Sequence, residues 1–294
     1  PRTEVHFLEN GGQLMFAEKM VVTQPTERIE KQYEVYLFDL DGTIYLGEEL
    51  LPGARELLDS LRRLGKKRIF LSNNPTKNPQ MYLEKLQRLG IECDLQEIVN
   101  TVVSTVGWLT ANRPGKKVFP IADKPLVDAL SDAGIEVTDV PEEIDIVIAS
   151  YDHGFDYKKL QVAFDALWRV GKAELITTNP DKYCPFPGGR GEPDAAGVVA
   201  AIEATTGVKC SANMGKPDQV MIDVALNRVG SEFESAIMVG DRLSTDIKMA
   251  AVAGIDSALV LTGDSQLRDL DAADSESQPT YVLESIESLI PGGN

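Results

Sequence analysis

Short apolar runs alternate with longer helical patterns from residue 34 onward, the signature of a parallel sheet covered by helices. The first run, "VYLF" ahead of Asp39, is continuously apolar and predicts a strand buried on both faces. "PGARELLDSLRRLG" follows, with Pro52 at a helix start, Gly65 as its stop, and Leu57, Leu58, Leu61 and Leu64 on one face. "KRIFLSNN" predicts a second strand and "NPQMYLEKLQRLG" a second helix, with Leu83, Leu86 and Leu89 inward. A helical "VNTVVSTVGWLTANRPG" closes this block.

The alternation then restarts as a separate α/β unit: strand "KKVFPIA", helix "KPLVDALSDAG", strand "IDIVIASYD", helix "DYKKLQVAFDALWRVG" and strand "AELITTN". Leu160, Ala163, Phe164, Leu167 and Trp168 fall at i, i+3, i+4, i+7 and i+8, which predicts a stripe facing a core. A Gly/Pro-rich "CPFPGGRGEPD" breaks the pattern before helix "AAGVVAAIEATTG". "GKPDQVMIDVALNRVG", strand "SAIMVG", helix "STDIKMAAVAG", strand "SALVLTG" and finally "TYVLESIESLI" then follow. Polar motifs come from both ends of the chain, so the expected architecture is nested, with a middle segment inserted into a core built by the two ends. Residues 1–32 show no sustained period and are expected to form an irregular N-terminal extension; His6, within them, is assigned no chemistry.

Composition narrows the function. The 294 residues are 43% hydrophobic and 26% charged, as in an ordinary globular protein with room for one or two domains. A formal charge of −17 with no basic patch argues against nucleic acid or an anionic membrane as partner, so an anionic substrate needs a local cation. Cys93, Cys184 and Cys210 are widely spaced and form no CxxC pair, which suits a reducing cytoplasm. No apolar run approaches the roughly 20 residues that span a bilayer, and the first thirty residues lack a signal pattern, so a soluble, cytoplasmic chain is expected.

In an open parallel sheet, ligands collect at the carboxyl ends of the strands. Three such ends are polar here: "FDLDGT", "LSNN" and "MVGDRLSTD". Asp39, Asp41 and Asp241 would converge there, and their mutual repulsion calls for a counter-ion; oxygen-only ligands without nearby His or Cys select Mg²⁺. Asp39 is the candidate nucleophile, forming an acyl-phosphate, with Asp41 as acid and then base. Gly42 allows the turn, and Thr43 is expected to hydrogen-bond across it. Ser72, Asn73 and Asn74 offer donors to phosphoryl oxygens, and Lys216 in "MGKP" adds positive charge. Asp246 is a further candidate at the metal site, expected to cap a helix or to orient Lys216 or a metal-bound water.

These four motifs, in this order, resemble those of the haloacid dehalogenase superfamily of phosphatases, and "TIYLG…LPGA", "TNPD" and "GDRLSTDI" resemble its nitrophenylphosphatase-like branch. That branch includes phosphoglycolate, pyridoxal phosphate, ribonucleotide and sugar phosphatases. The resemblance implies a Rossmann-like doubly wound parallel sheet core (33–113 and 211–294) with an inserted α/β cap domain (114–210). It also implies Mg²⁺ held by the Asp39 carboxylate, the Asp41 backbone carbonyl and the Asp241 side chain, and a homodimer formed through the cap.

Cap contacts to substrate are expected from Asn179, with Pro180 and Asp181 beside it, from Cys184 and from Arg190 in "PGGRG"; His153 is a further candidate. Cys184 stands where pyridoxal phosphate phosphatases of the branch carry a histidine, which argues against that substrate. The expected activity is Mg²⁺-dependent hydrolysis of a small phosphomonoester such as a sugar phosphate, nucleotide or phosphoglycolate-like compound, with p-nitrophenyl phosphate as an artificial substrate. A phosphotransferase or mutase, a phospho-receiver and a non-catalytic binding protein are the alternatives; the second aspartate of DxD argues against a dehalogenase.

Overall fold

The computed structural model describes residues 24–186, 189–230, 235–274 and 277–291. His6 and the Pro187–Gly188 part of "PGGRG" lie outside these residues. The first block contains β1 (Val35–Asp39), β2 (Tyr45–Leu46), β3 (Glu49–Leu50), α1 (Ala54–Arg63), β4 (Lys67–Ser72), α2 (Pro79–Arg88), β5 (Ile98–Asn100) and α3 (Thr101–Asn112). The middle segment holds β6 (Val118–Ile121), α4 (Lys124–Asp132), β7 (Ile146–Ala149), α5 (Tyr157–Phe164), β8 (Glu174–Thr177), β9 (Tyr183–Phe186), β10 (Arg190–Pro193), α6 (Ala195–Thr206) and β11 (Ala212–Asn213). Last come α7 (Val220–Val229), β12 (Ala236–Gly240), α8 (Lys248–Ala253), β13 (Asp256–Val260) and β14 (Tyr281–Leu283).

The core sheet is six-stranded, in the order β14-β13-β12-β1-β4-β5 with every pair parallel. β1 lies near its centre because both faces of "VYLF" are covered. Tyr36 and Phe38 pack with Leu57, Leu58 and Leu61 of α1, while Val35 and Leu37 pack with Met221, Ile222, Met249 and Ala250 of α7 and α8. Each such buried side chain contributes roughly 1.5–3 kcal/mol. The chain winds outward from β1 in both directions, so the strand order reverses between β1 and β12. A crevice opens there at the carboxyl ends of these strands.

A second parallel sheet, β11-β8-β7-β6, belongs to the middle segment. It includes Ala212–Asn213, which lie past the sequence boundary at 210. Helix α3 supplies Val102 and Leu109 to the apolar cluster under this sheet, so the helix joins the two units. Residues 24–32 are irregular, as expected, but docked: the Thr26 N–H donates to Val282 and the Ile29 N–H to Ser288, and Ile29 is buried. Among the described residues no helix is long and apolar enough to cross a membrane.

Three sequence expectations fail locally. Leu64 is exposed, because α1 ends at Arg63 and the Leu64 N–H already closes the helix on Ser60. Trp168 is 62% exposed and stacks on Phe164, because Asp165–Val170 is a π-helical turn, whose wider repeat rotates Trp168 off the buried face that Leu167 keeps. The Gly/Pro-rich break is itself a two-stranded antiparallel ribbon, β9 with β10.

Candidate active site

Asp39 ends β1, Ser72 ends β4, and Asp241 follows β12, so the three strands deliver their polar termini to one mouth. The ligand atoms of Asp39, Asp241 and Asp246 lie within 4.8 Å of one another. Lys216 is buried among them: its Nζ donates to Asp39 Oδ1 and lies 2.7 Å from Asp246 Oδ1. Burial disfavours the Lys216 charge, but Asp246 and Asp39 outweigh it and hold its pKa above the ordinary lysine value. Asp246 is fully buried, and its Oδ2 also accepts from the Arg242 N–H at 3.1 Å. Asp246 thus pairs with Lys216 and is at the same time one of the three clustered carboxylates.

The acidic cluster remains under-compensated. Burial, then repulsion from Asp39 and Asp246, pushes Asp241 up to about 8, and burial with repulsion from Asp39 pushes Asp246 up to about 6 despite Lys216. Asp241 Oδ2 accepts from the Asp264 N–H at 2.7 Å, but its Oδ1 is buried with no hydrogen-bond partner. An orphaned carboxylate oxygen beside two further carboxylates is the donor set of a hard divalent cation, and these residues fit one. Gly42 makes room for it at a φ of +86°, where any Cβ would also fall 2.5 Å from Asp241 Oδ2.

Asp41 follows at the rim, exposed but close against protein. This loss of hydration raises its pKa, nearby Lys85 offsets part of the rise, and Asp39 adds to it. Lys85, a lysine at an inward position of α2, lies with Nζ 3.7 Å from the Tyr45 ring centroid. Thr43 is buried, but its hydroxyl has no hydrogen-bond partner, so the expected side-chain bond across the turn does not form; the turn is closed by backbone bonds to Leu40.

The "SNN" residues divide their tasks. Ser72 Oγ lies 2.9 Å from the Tyr82 hydroxyl and 3.3 Å from the Asn74 N–H. Asn73 was expected to face phosphoryl oxygens, but its amide is engaged in building the site. It accepts from the Lys216 N–H at 2.8 Å and donates to the Lys216 carbonyl at 2.9 Å and to Asp181 Oδ2 at 2.9 Å. Asn74 Oδ1 accepts from Thr76, and its Nδ2 is 3.9 Å from Cys184 Sγ. Asp181 and Cys184 thus bring the middle segment against the core mouth.

Asn179 is fully buried, and its amide is taken up by donation to Asp181 and Asp194. Arg190 is largely exposed and paired with Glu192. His153 lies between Asp123 and Glu192. Pattern reading missed Tyr82, Lys85 and Arg242. The signal for Lys85 was a cation on an otherwise apolar helix face, and for Arg242 its place directly after Asp241.

Comparison with known proteins agrees with this geometry. The haloacid dehalogenase-like hydrolase profile matches residues 36–136, and a related HAD-hydrolase-like profile matches 213–289. The sugar-phosphatase AraL of Bacillus subtilis is 36% identical over 253 residues, 86% of this chain and 90% of that protein. The chain belongs to the haloacid dehalogenase-like hydrolases. Within that family it is a phosphatase of the branch containing the 4-nitrophenylphosphatase of Thermotoga maritima, to which it is 34% identical with a TM-score of 0.81, covering 87% of this chain and 95% of that one. A family member from Mycobacterium tuberculosis, a glycerol phosphate phosphatase solved with magnesium, is 27% identical with a TM-score of 0.78, covering 92% and 78% of the respective chains.

Proposed function

We propose that this phosphatase hydrolyses small phosphorylated metabolites of the sugar phosphate class, using Mg²⁺ and a covalent intermediate on Asp39. The observation that carries the reading is the meeting of Asp39, from the start of the fold, with Lys216, Asp241 and Asp246, from its end, around an orphaned carboxylate oxygen. Asp39 and Asp241 would hold the cation with the Asp41 carbonyl, while Asp246 keeps Lys216 in place. When bound, Mg²⁺ supplies positive charge that the carboxylates and phosphoryl oxygens share.

The residues then divide the reaction. An Asp39 carboxylate oxygen attacks phosphorus, the bond from phosphorus to the leaving oxygen breaks, and Asp41 gives that oxygen its proton. In the second half, Asp41 takes a proton from water as the water oxygen attacks phosphorus; the bond to Asp39 breaks, which restores its carboxylate and releases phosphate. Ser72 and Lys216 hold the phosphoryl oxygens in line. The sugar-phosphatase name of the Bacillus subtilis relative supports the substrate class. Three free cysteines suit a cytoplasmic setting.

The test is phosphate release from a panel of sugar phosphates and nucleotides, with Mg²⁺ and with chelator. Release should require the metal and fall by at least about 10⁴-fold in Asp39→Asn, with the folded circular dichroism spectrum kept. Transfer of the phosphoryl group to a second sugar without free phosphate would point to a mutase instead.

A further inference from the structure

The β9–β10 ribbon belongs to neither large sheet, and Tyr183 and Phe186 on it are exposed. An isolated two-stranded ribbon is marginal by itself, so something must hold it. Glu192 does so. Its Oε2 accepts from the Tyr151 hydroxyl at 2.6 Å and lies 3.2 Å from His153 Nε2, while its Oε1 accepts from Arg190 at 2.5 Å. Tyr151 is buried just past β7; the His153 ring lies against it, tilted, at 4.8 Å between centroids, with Nδ1 2.6 Å from Asp123 Oδ2 past β6. One carboxylate therefore ties the ribbon to the segment past β7, which His153 joins in turn to Asp123 past β6.

Glu192 also stands directly opposite Cys184 in the antiparallel register. Opposed residues project to the same face with Cβ atoms about 5 Å apart. Cys184 in turn reaches Asn74 Nδ2 at 3.9 Å, and the Asn74 N–H reaches Ser72 Oγ at 3.3 Å. A continuous path thus runs from the Tyr151–His153 pair through Glu192 and Cys184 to the candidate phosphoryl site.

We propose that Glu192 is a positioning residue for the leaving group: it fixes the β9–β10 ribbon so that Cys184 stays against Asn74 and walls the space beyond the phosphoryl group. The proposal rests on the phosphatase reading above. A substrate whose leaving group extends past Ser72 and Asn74 meets this wall. One with a very small leaving group does not.

The experiment compares wild type with Glu192→Gln, which keeps shape but removes the charge, on a hexose phosphate and on acetyl phosphate. Loss of charge-assisted bonds should raise KM for the hexose phosphate about tenfold with kcat nearly constant, and move KM for acetyl phosphate less than about twofold. Amide exchange in Tyr183–Phe186 and Arg190–Glu192 should quicken by about tenfold in the variant while β6–β8 stay protected. Equal losses on both substrates, or no change on either, overturn the proposal. If wild type releases phosphate from neither compound, the sugar phosphate reading fails, and the ribbon's exchange alone then judges the lock: unchanged exchange overturns it.

Discussion

At Lys216 a buried ammonium group contacts Asp39 and sits 2.7 Å from Asp246 Oδ1, where desolvation alone would favour its neutral form. Two carboxylates reverse that preference, and the lysine is held from the other side by Asn73 through its own N–H and carbonyl. Truncating it leaves two carboxylates buried without their cation. Lys216→Ala should therefore lower stability by about 3–5 kcal/mol in urea denaturation without metal, well beyond an exposed lysine such as Lys124, whose loss should cost under about 1 kcal/mol. Equal costs would show that the pair does not bear on folding. Asp39, Ser72 and Asp241 were legible in the sequence because each stands at or just past a strand end, where a turn must follow an apolar run. The sequence did not spell out that Asn73 builds the site or that Asn179 is buried, since hydrogen-bond partners come from segments far apart in the chain.

Among the elements, the strands of the core were the most legible, since burial on both faces leaves an unbroken apolar run. Helix faces were legible only while the helix stayed regular. The stripe from Leu160 to Leu167 was read correctly at Ala163 and Leu167, and Trp168 departs from it because a π-helical turn has no composition of its own. The β9–β10 ribbon was hidden for another reason: its prolines and glycines mask strand character, and tertiary contacts at Glu192 hold it in place of propensity.

The start of α6 offers a test at this scale. Asp194 caps the helix by accepting from the Ala195 N–H at 2.6 Å, and burial pushes its pKa up to about 6 although Asn179 and that N–H favour the anion. The folded state thus holds this proton more tightly than the unfolded chain. The resulting stability is fully present below about pH 4 and is lost as pH rises through about 6. Wild type should lose about 2–3 kcal/mol relative to Asp194→Asn between pH 4 and 7.5, as measured by urea denaturation. Parallel pH profiles for the two proteins would contradict this.

For the whole molecule, the nested order of the chain is what creates the site. The first block ends with β5 and α3, the middle segment builds its own sheet above the mouth, and the chain returns through Lys216 to lay β12 beside β1. Helix α3 packs on both units, and Asn73 to Asp181 and Asn74 to Cys184 are polar contacts between them at the mouth. On the proposed reading the chemistry belongs to the core, while access and the space for the leaving group are shaped by the middle segment.

Covalent capture on Asp39 tests this account most directly. In Asp41→Asn with p-nitrophenyl phosphate, whose leaving group needs no proton, the first half-reaction should proceed while the activation of water is lost. Acid quenching followed by peptide mass spectrometry should then find a burst of nitrophenol matched by a phosphoryl group on Asp39. Turnover with no covalent label, or a label on any other residue, would contradict the account.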